Sequence, residues 1–160
     1  ANSGNIGFSD SVETSVTDPS ALVWVTHNYS PNGSVSAVYL PSTLGVWYTS
    51  GHWWIFREDR AAMPTGAAFN VNDQPNAPAF DFQQTTSSSN SVGDSTYLSN
   101  ALTNGQPAKL VFVTPVWRTS SDYLTTVLGV WYATNEWSVF NEDDHTSFPA
   151  NMELNILVQN

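Results

Sequence analysis

Apolar residues fall in short runs separated by polar turn residues, a pattern of short β-strands and not of long helices. Leu22-Val23-Trp24-Val25-Thr26 is apolar on both parities, which predicts a strand buried on both faces. Val46-Trp47-Tyr48 predicts a second strand, Trp53 to Phe56 a third and Ala68 to Val71 a fourth. Thr49-Ser50-Gly51 between the second and third strands reads as a hairpin turn.

The same series recurs later in the chain. Leu44-Gly45-Val46-Trp47-Tyr48 returns as Leu128-Gly129-Val130-Trp131-Tyr132, and Leu22 to Thr26 as Leu110-Val111-Phe112-Val113-Thr114. Trp53-Trp54-Ile55-Phe56-Arg57-Glu58-Asp59 returns as Trp137-Ser138-Val139-Phe140-Asn141-Glu142-Asp143, after a turn at Ala133-Thr134-Asn135. Met63-Pro64 matches Phe148-Pro149, and Phe69-Asn70-Val71 matches Leu154-Asn155-Ile156. The chain therefore divides into an N-terminal extended segment (1–21), copy 1 (22–72), a polar connector (73–109) and copy 2 (110–160). The expected fold is all-β: an antiparallel sandwich or barrel of about eight to ten short strands, formed by two pseudo-symmetric copies of a four-stranded unit around one core. A pseudo-twofold axis should relate the copies, with Leu22–Thr26 and Leu110–Thr114 central.

Comparing the copies predicts which side chains are buried. Trp47, Trp53, Trp131 and Trp137 recur and should be core, with Ile55 and Val139. Trp54 faces Ser138 in the alignment and Trp117 faces a different residue, so both should be at least partly exposed. Phe56 and Phe140 should lie under the Met63-Pro64 and Phe148-Pro149 loops. Thr85 to Ser91 reads as an exposed loop, with Ala79-Phe80-Asp81-Phe82 as a strand before it. Tyr97 to Leu102 forms a leader ahead of copy 2, and copy 1 has only the dissimilar residues 1–21 in that place, so its sheet should be short of a strand.

The repeated pattern G-V-W-Y, W-x-[IV]-F-x-E-D, [MF]-P and F-N-V resembles a tandem-repeat family of secreted bacterial proteins of unassigned function. Trp24-Val25-Thr26, Phe112-Val113-Thr114 and Leu102-Thr103-Asn104-Gly105 fit that unit, as does the loop His27 to Gly33, while copy 2 departs at Pro115-Val116-Trp117-Arg118. The resemblance covers about two thirds of the chain and implies a secreted β-rich module, with no reaction or ligand to carry over.

Charge narrows the partners. Only 11% of residues are charged and the net charge is −10, so anionic partners such as nucleic acid are repelled. No apolar run is long enough to insert as a membrane helix. The absence of cysteine, the few lysines and a first residue that is Ala suit a mature secreted or cell-surface protein. In a glycosylating host, Asn28 and Asn32 would be acceptor sites.

No catalytic pattern emerges, and no cofactor is expected. His27, His52 and His145 have Pro115, Glu136 and Ala61 as counterparts, so no histidine site is repeated. Glu58-Asp59 and Glu142-Asp143 are repeated acids at strand ends, where carboxylates cap turns; Arg57 and Arg60 should neutralise the first pair at the surface. Glu142, Asp143 and Asp144 raise a calcium hypothesis. Two functions remain, with a glycoside-active enzyme a distant third. One is a non-catalytic structural protein that assembles with copies of itself into a filament or surface layer. Its N-terminal strand, with Ile6, Phe8, Val12 and Val16 on one parity, has two placements open to it: donation to a neighbour's sheet edge, or folding back onto its own domain. The alternative is a lectin-like module contacting glycans through Trp54, Trp117, Asn28 and Asn32.

Overall fold

In the computed structural model, residues 12–31, 38–75, 79–117 and 123–160 are described, the side chain of Pro75 excepted. They form twelve strands: β1 (Val12–Glu13), β2 (Ala21–Asn28), β3 (Leu44–Thr49), β4 (His52–Arg57), β5 (Ala68–Pro75) and β6 (Asp81–Thr85), then β7 (Ser91–Val92), β8 (Ser95–Tyr97), β9 (Leu110–Val116), β10 (Leu128–Ala133), β11 (Glu136–Asn141) and β12 (Glu153–Gln159). One layer is a six-stranded sheet in the order β1-β4-β3-β9-β12-β6. The four-stranded sheet, β10-β11-β8-β7, packs on the face that carries Val111, Leu154 and Ile156, and the two-stranded sheet, β2-β5, on the opposite face, where Thr114 and Asn155 hydrogen-bond to β2. No sheet closes, so the fold is a sandwich and not a barrel.

Copy 1 places β3 and β4 in the six-stranded sheet, beside the leader strand β1, with β2 and β5 on one face; copy 2 places β9 and β12 in the same sheet, with β10, β11 and the leader strand β8 on the other face. Register repeats residue by residue. Val25 pairs with Val71 as Val113 pairs with Ile156, and Thr26 with Asn70 as Thr114 with Asn155. Both β3–β4 and β10–β11 turn through two residues of positive φ, Ser50 (53°) and Gly51 (84°) in one and Thr134 (50°) and Asn135 (72°) in the other. Such turns match the twist of the strands they join.

Copy 1 is not short of a strand. Val12 pairs with Ile55 and Glu13 with Trp54, as Thr96 pairs with Val139 and Tyr97 with Ser138. The Thr14 N–H donates to the Trp53 carbonyl at 2.9 Å, as the Leu98 N–H does to that of Trp137 at 2.8 Å. Further on, the Trp53 indole donates to the Asp18 carbonyl at 2.9 Å and the Trp137 indole to that of Gln106 at 3.0 Å. Val12 and Val16 thus pack within their own chain, while Ile6 and Phe8 lie outside the described residues.

Apolar side chains gather in two main clusters between the layers. Val23, Val46, Trp53, Ile55 and Met63 belong to the first, and Leu98, Val139, Met152, Leu154 and Ile156 to the second. Asn155 bridges the layers: its amide donates to the Val23 carbonyl at 3.1 Å and its backbone carbonyl accepts the Trp24 indole at 3.1 Å.

Several expectations need correction. Leu110–Thr114 is central, but Leu22–Thr26 lies in the two-stranded sheet. Trp54 is buried, because Trp117 and Tyr123, from the connection between β9 and β10 in copy 2, cover the Trp47 face of β3 and β4. That cover, and not the Met63-Pro64 loop, lies over Phe56, whose ring is 6.4 Å from that of Tyr123. Trp131 is exposed and Trp137 half-buried. Thr86, expected in an open loop, is fully buried and hydrogen-bonded to Pro149 and Met152. The strand after Ala79 begins only at Asp81, leaving Phe80 exposed.

Candidate interaction surface

The two copies meet at one junction in the six-stranded sheet that has no counterpart between β10 and β2. At that junction β3 and β9 run parallel, Val46 opposite Val116, and the Trp117 N–H donates to the Val46 carbonyl at 2.9 Å. By the alignment, the counterpart would set Val130 of β10 opposite Asn28 of β2, with the Tyr29 N–H on the Val130 carbonyl. No such pairing exists, and β10 and β2 are each the end strand of their own sheet. They are split between opposite faces of the six-stranded sheet. Thr26, His27, Val127 and Leu128 share a pocket with the loop Leu40 to Thr43, and with Leu44, Val113 and Pro115.

Exposure follows the split. Trp47 is 6% exposed and its counterpart Trp131 44%; Trp24 is 6% exposed and Phe112 45%. Val130 and Leu110 are likewise exposed where Val46 and Leu22 are buried. The aromatic clamp over β3 and β4 is Trp117, edge-on to Trp47 at 5.7 Å, with Tyr123. Its counterparts, Tyr29 and Tyr39, pack on each other at 4.8 Å and stay exposed.

The repeated acids divide the same way. Gly45 and Gly129 are required because a β-carbon on either would collide with the ring of Phe56 or Phe140 and the carboxyl of Glu58 or Glu142. Glu58 is buried under the clamp, accepts the Leu124 N–H at 3.0 Å, and has its pKa pushed up by burial to about 8. It is no surface partner for arginine; Arg57 pairs with Asp59, and Arg60 lies over the Tyr123 ring at 5.5 Å. Glu142 is exposed, since nothing equivalent to Leu124 covers it.

The other singled-out residues are scattered. Asp143 accepts the Thr146 N–H at 3.1 Å and its hydroxyl at 2.5 Å, bonds that lower its pKa and mark a turn cap. No group of three or more His, Asp or Glu able to hold a metal occurs among the described residues. His52 faces Glu13 at 3.3 Å, His145 faces Asp144 at 2.6 Å, and His27 stands 6.1 Å from the Phe69 ring. Trp54 is buried, and Trp117 is half-buried and packs on the same cluster. The Asn28 amide donates to Asn70 at 3.1 Å on the exposed end of β2, and Asn32 lies outside the described residues.

Residues 11–73 and 62–158 each match the family described as a domain of unknown function, DUF7452. The chain belongs to that family. The first match to DUF7452 begins one residue before β1, in keeping with a unit that includes the leader strand. No curated protein and no solved structure matched the chain.

The missed features had signals in the sequence. Tyr39-Leu40 aligns with Tyr123-Leu124 at the same offset as the Gly-Val-Trp-Tyr strands, and would have revealed the clamp. Val12-Glu13 and Thr96-Tyr97 share that offset but no residue types, because their role is carried by backbone hydrogen bonds.

Proposed function

We propose that this DUF7452 protein is a non-catalytic, extracellular structural protein that assembles with copies of itself into a filament or surface layer. The exposed apolar side chains of Val130, Trp131 and Phe112 carry this reading, at positions whose counterparts are covered. Among the described residues, β10 is also the end strand of its sheet. Unpaired edges flanked by apolar side chains are templates for another strand. A thiol-free, lysine-poor chain of net charge −10 suits life outside the cell.

Light scattering across a concentration series, with electron microscopy of the same samples, tests this. Assembly that grows with concentration supports it. A monodisperse monomer at every concentration contradicts it.

A further inference from the structure

Each chain carries both halves of the junction that β10 and β2 do not make, and it carries them on opposite faces of the six-stranded sheet. One half is β10 with its outer face. Val130 stands opposite Val139 as Val46 stands opposite Ile55, and the Val46 carbonyl meets Trp117, so Val130 turns its N–H and carbonyl to the outer edge of β10. Phe140 and Glu142 crowd Gly129 as Phe56 and Glu58 crowd Gly45, so the surface beside that edge already has the shape of the covered one. Glu58 accepts the Leu124 N–H there, whereas Glu142 stands exposed. The other half is the end of β2. The Val25 N–H points away from β5, to the Thr114 hydroxyl, and alternation turns the Tyr29 N–H, four residues on, the same way. Tyr29 and Tyr39 are exposed and packed on each other, at the positions of Trp117 and Tyr123, and Leu40 follows Tyr39 as Leu124 follows Tyr123.

We propose that β10 of one chain is joined in parallel by the Asn28–Tyr29 end of β2 from a second copy, whose Tyr29, Tyr39 and Leu40 lie over Trp131, Phe140 and Glu142. The proposal rests on the self-assembly reading and names the two surfaces that meet. The occupant is argued from the junction inside the chain, where the same positions are already joined: β3 to Val116 and Trp117, Trp47 beside Trp117, and Phe56 beside Tyr123. Between chains, the Tyr29 N–H donates to the Val130 carbonyl and the Leu40 N–H to the Glu142 carboxyl, as Trp117 and Leu124 do within one. The contact covers Val130 and Trp131, whose counterparts Val46 and Trp47 are buried by the internal junction. Each chain has one surface of each kind, so the contact is head-to-tail and continues from chain to chain as copy 2 follows copy 1.

The test uses full-length variants at exposed sites. Trp131→Asp spoils the β10 surface and keeps the β2 end; Tyr39→Asp does the reverse. Analytical ultracentrifugation should find each variant monomeric where the wild type polymerises, and an equimolar mixture of the two forming a dimer that grows no further. Val130→Pro, which removes an outward N–H of β10, and Tyr29→Asp are second variants of the two sides with the same expectation, should either of the first fail to fold. If Trp131→Asp and Tyr39→Asp both polymerise like the wild type, self-assembly stands and this junction is overturned. If each is monomeric and their mixture is monomeric too, the pairing of these two surfaces is overturned. A wild type that stays monomeric at every concentration overturns self-assembly itself, and the junction with it.

Discussion

The N–H of Trp117 donates to the carbonyl of Val46 at 2.9 Å, and Tyr29 and Val130, which hold the same places in the other half of the repeat, make no such bond. The junction joins the two copies in the six-stranded sheet, and its counterpart between β10 and β2 is not made. The burial of Trp47, the exposure of Trp131 and the contrast between Glu58 and Glu142 all follow from that difference.

Truncating the two equivalent tryptophans should have unequal effects on the monomer. Trp47 is packed against Trp117 within a buried cluster, so Trp47→Ala should lose about 3–5 kcal/mol of stability. Trp131→Ala, at a largely open site, should cost below about 1 kcal/mol. Urea unfolding at a dilution where the protein is monomeric measures both.

Glu58 gives the fold a pH dependence of defined sign. Its pKa is raised to about 8 by burial, with the Leu124 N–H acting in the opposite direction. The folded state therefore holds a proton that the unfolded chain, with an ordinary glutamate, has released above about pH 4.5. Its stabilising contribution is full below that point and is lost as pH rises toward about 8, a change of a few kcal/mol. Glu58→Gln keeps an acceptor for Leu124 and should flatten this part of the profile. Chemical denaturation from pH 4 to 9 checks it; equal slopes in the two proteins would contradict the assignment.

The two glycines of the Gly-Val-Trp-Tyr strands should also differ. A methyl group at Gly45 meets a Phe56 ring and a Glu58 carboxyl that are held in place by Tyr123 and Leu124. Gly45→Ala should cost about 1–3 kcal/mol by overpacking. Glu142 can swing into solvent, so Gly129→Ala should cost less. Thermal melts of the two variants rank them.

Much of the fold was legible because it depends on neighbours in sequence. Ser50-Gly51 and Thr134-Asn135 announce their hairpins, and the strand series could be matched copy to copy. What could not be read depends on contacts between distant segments. Trp54 looked exposed because Ser138 replaces it, yet Trp117 and Tyr123 cover it from the far side of the junction. Trp131 looked buried because Trp47 recurs, yet its cover is missing in a single chain. The exposed apolar positions are therefore departures from the repeat, and a pattern search rewards only agreement.

Removal of Asn155 probes the tie between the layers. Its side chain meets the Val23 carbonyl and also accepts the Gln83 amide at 3.1 Å. Asn155→Ala should cost about 1–3 kcal/mol by leaving buried partners unsatisfied. Native-state hydrogen exchange should then show β2 losing protection before β9.

Self-assembly is proposed to use the exposed apolar positions of the end strand β10, Val130 and Trp131. The most direct measurement is electron microscopy of the wild type beside Val130→Pro, at matched concentration and with folding verified by circular dichroism. The account predicts fibres or sheets from the wild type and dispersed monomers from the folded variant. Assemblies of equal abundance from both would contradict it.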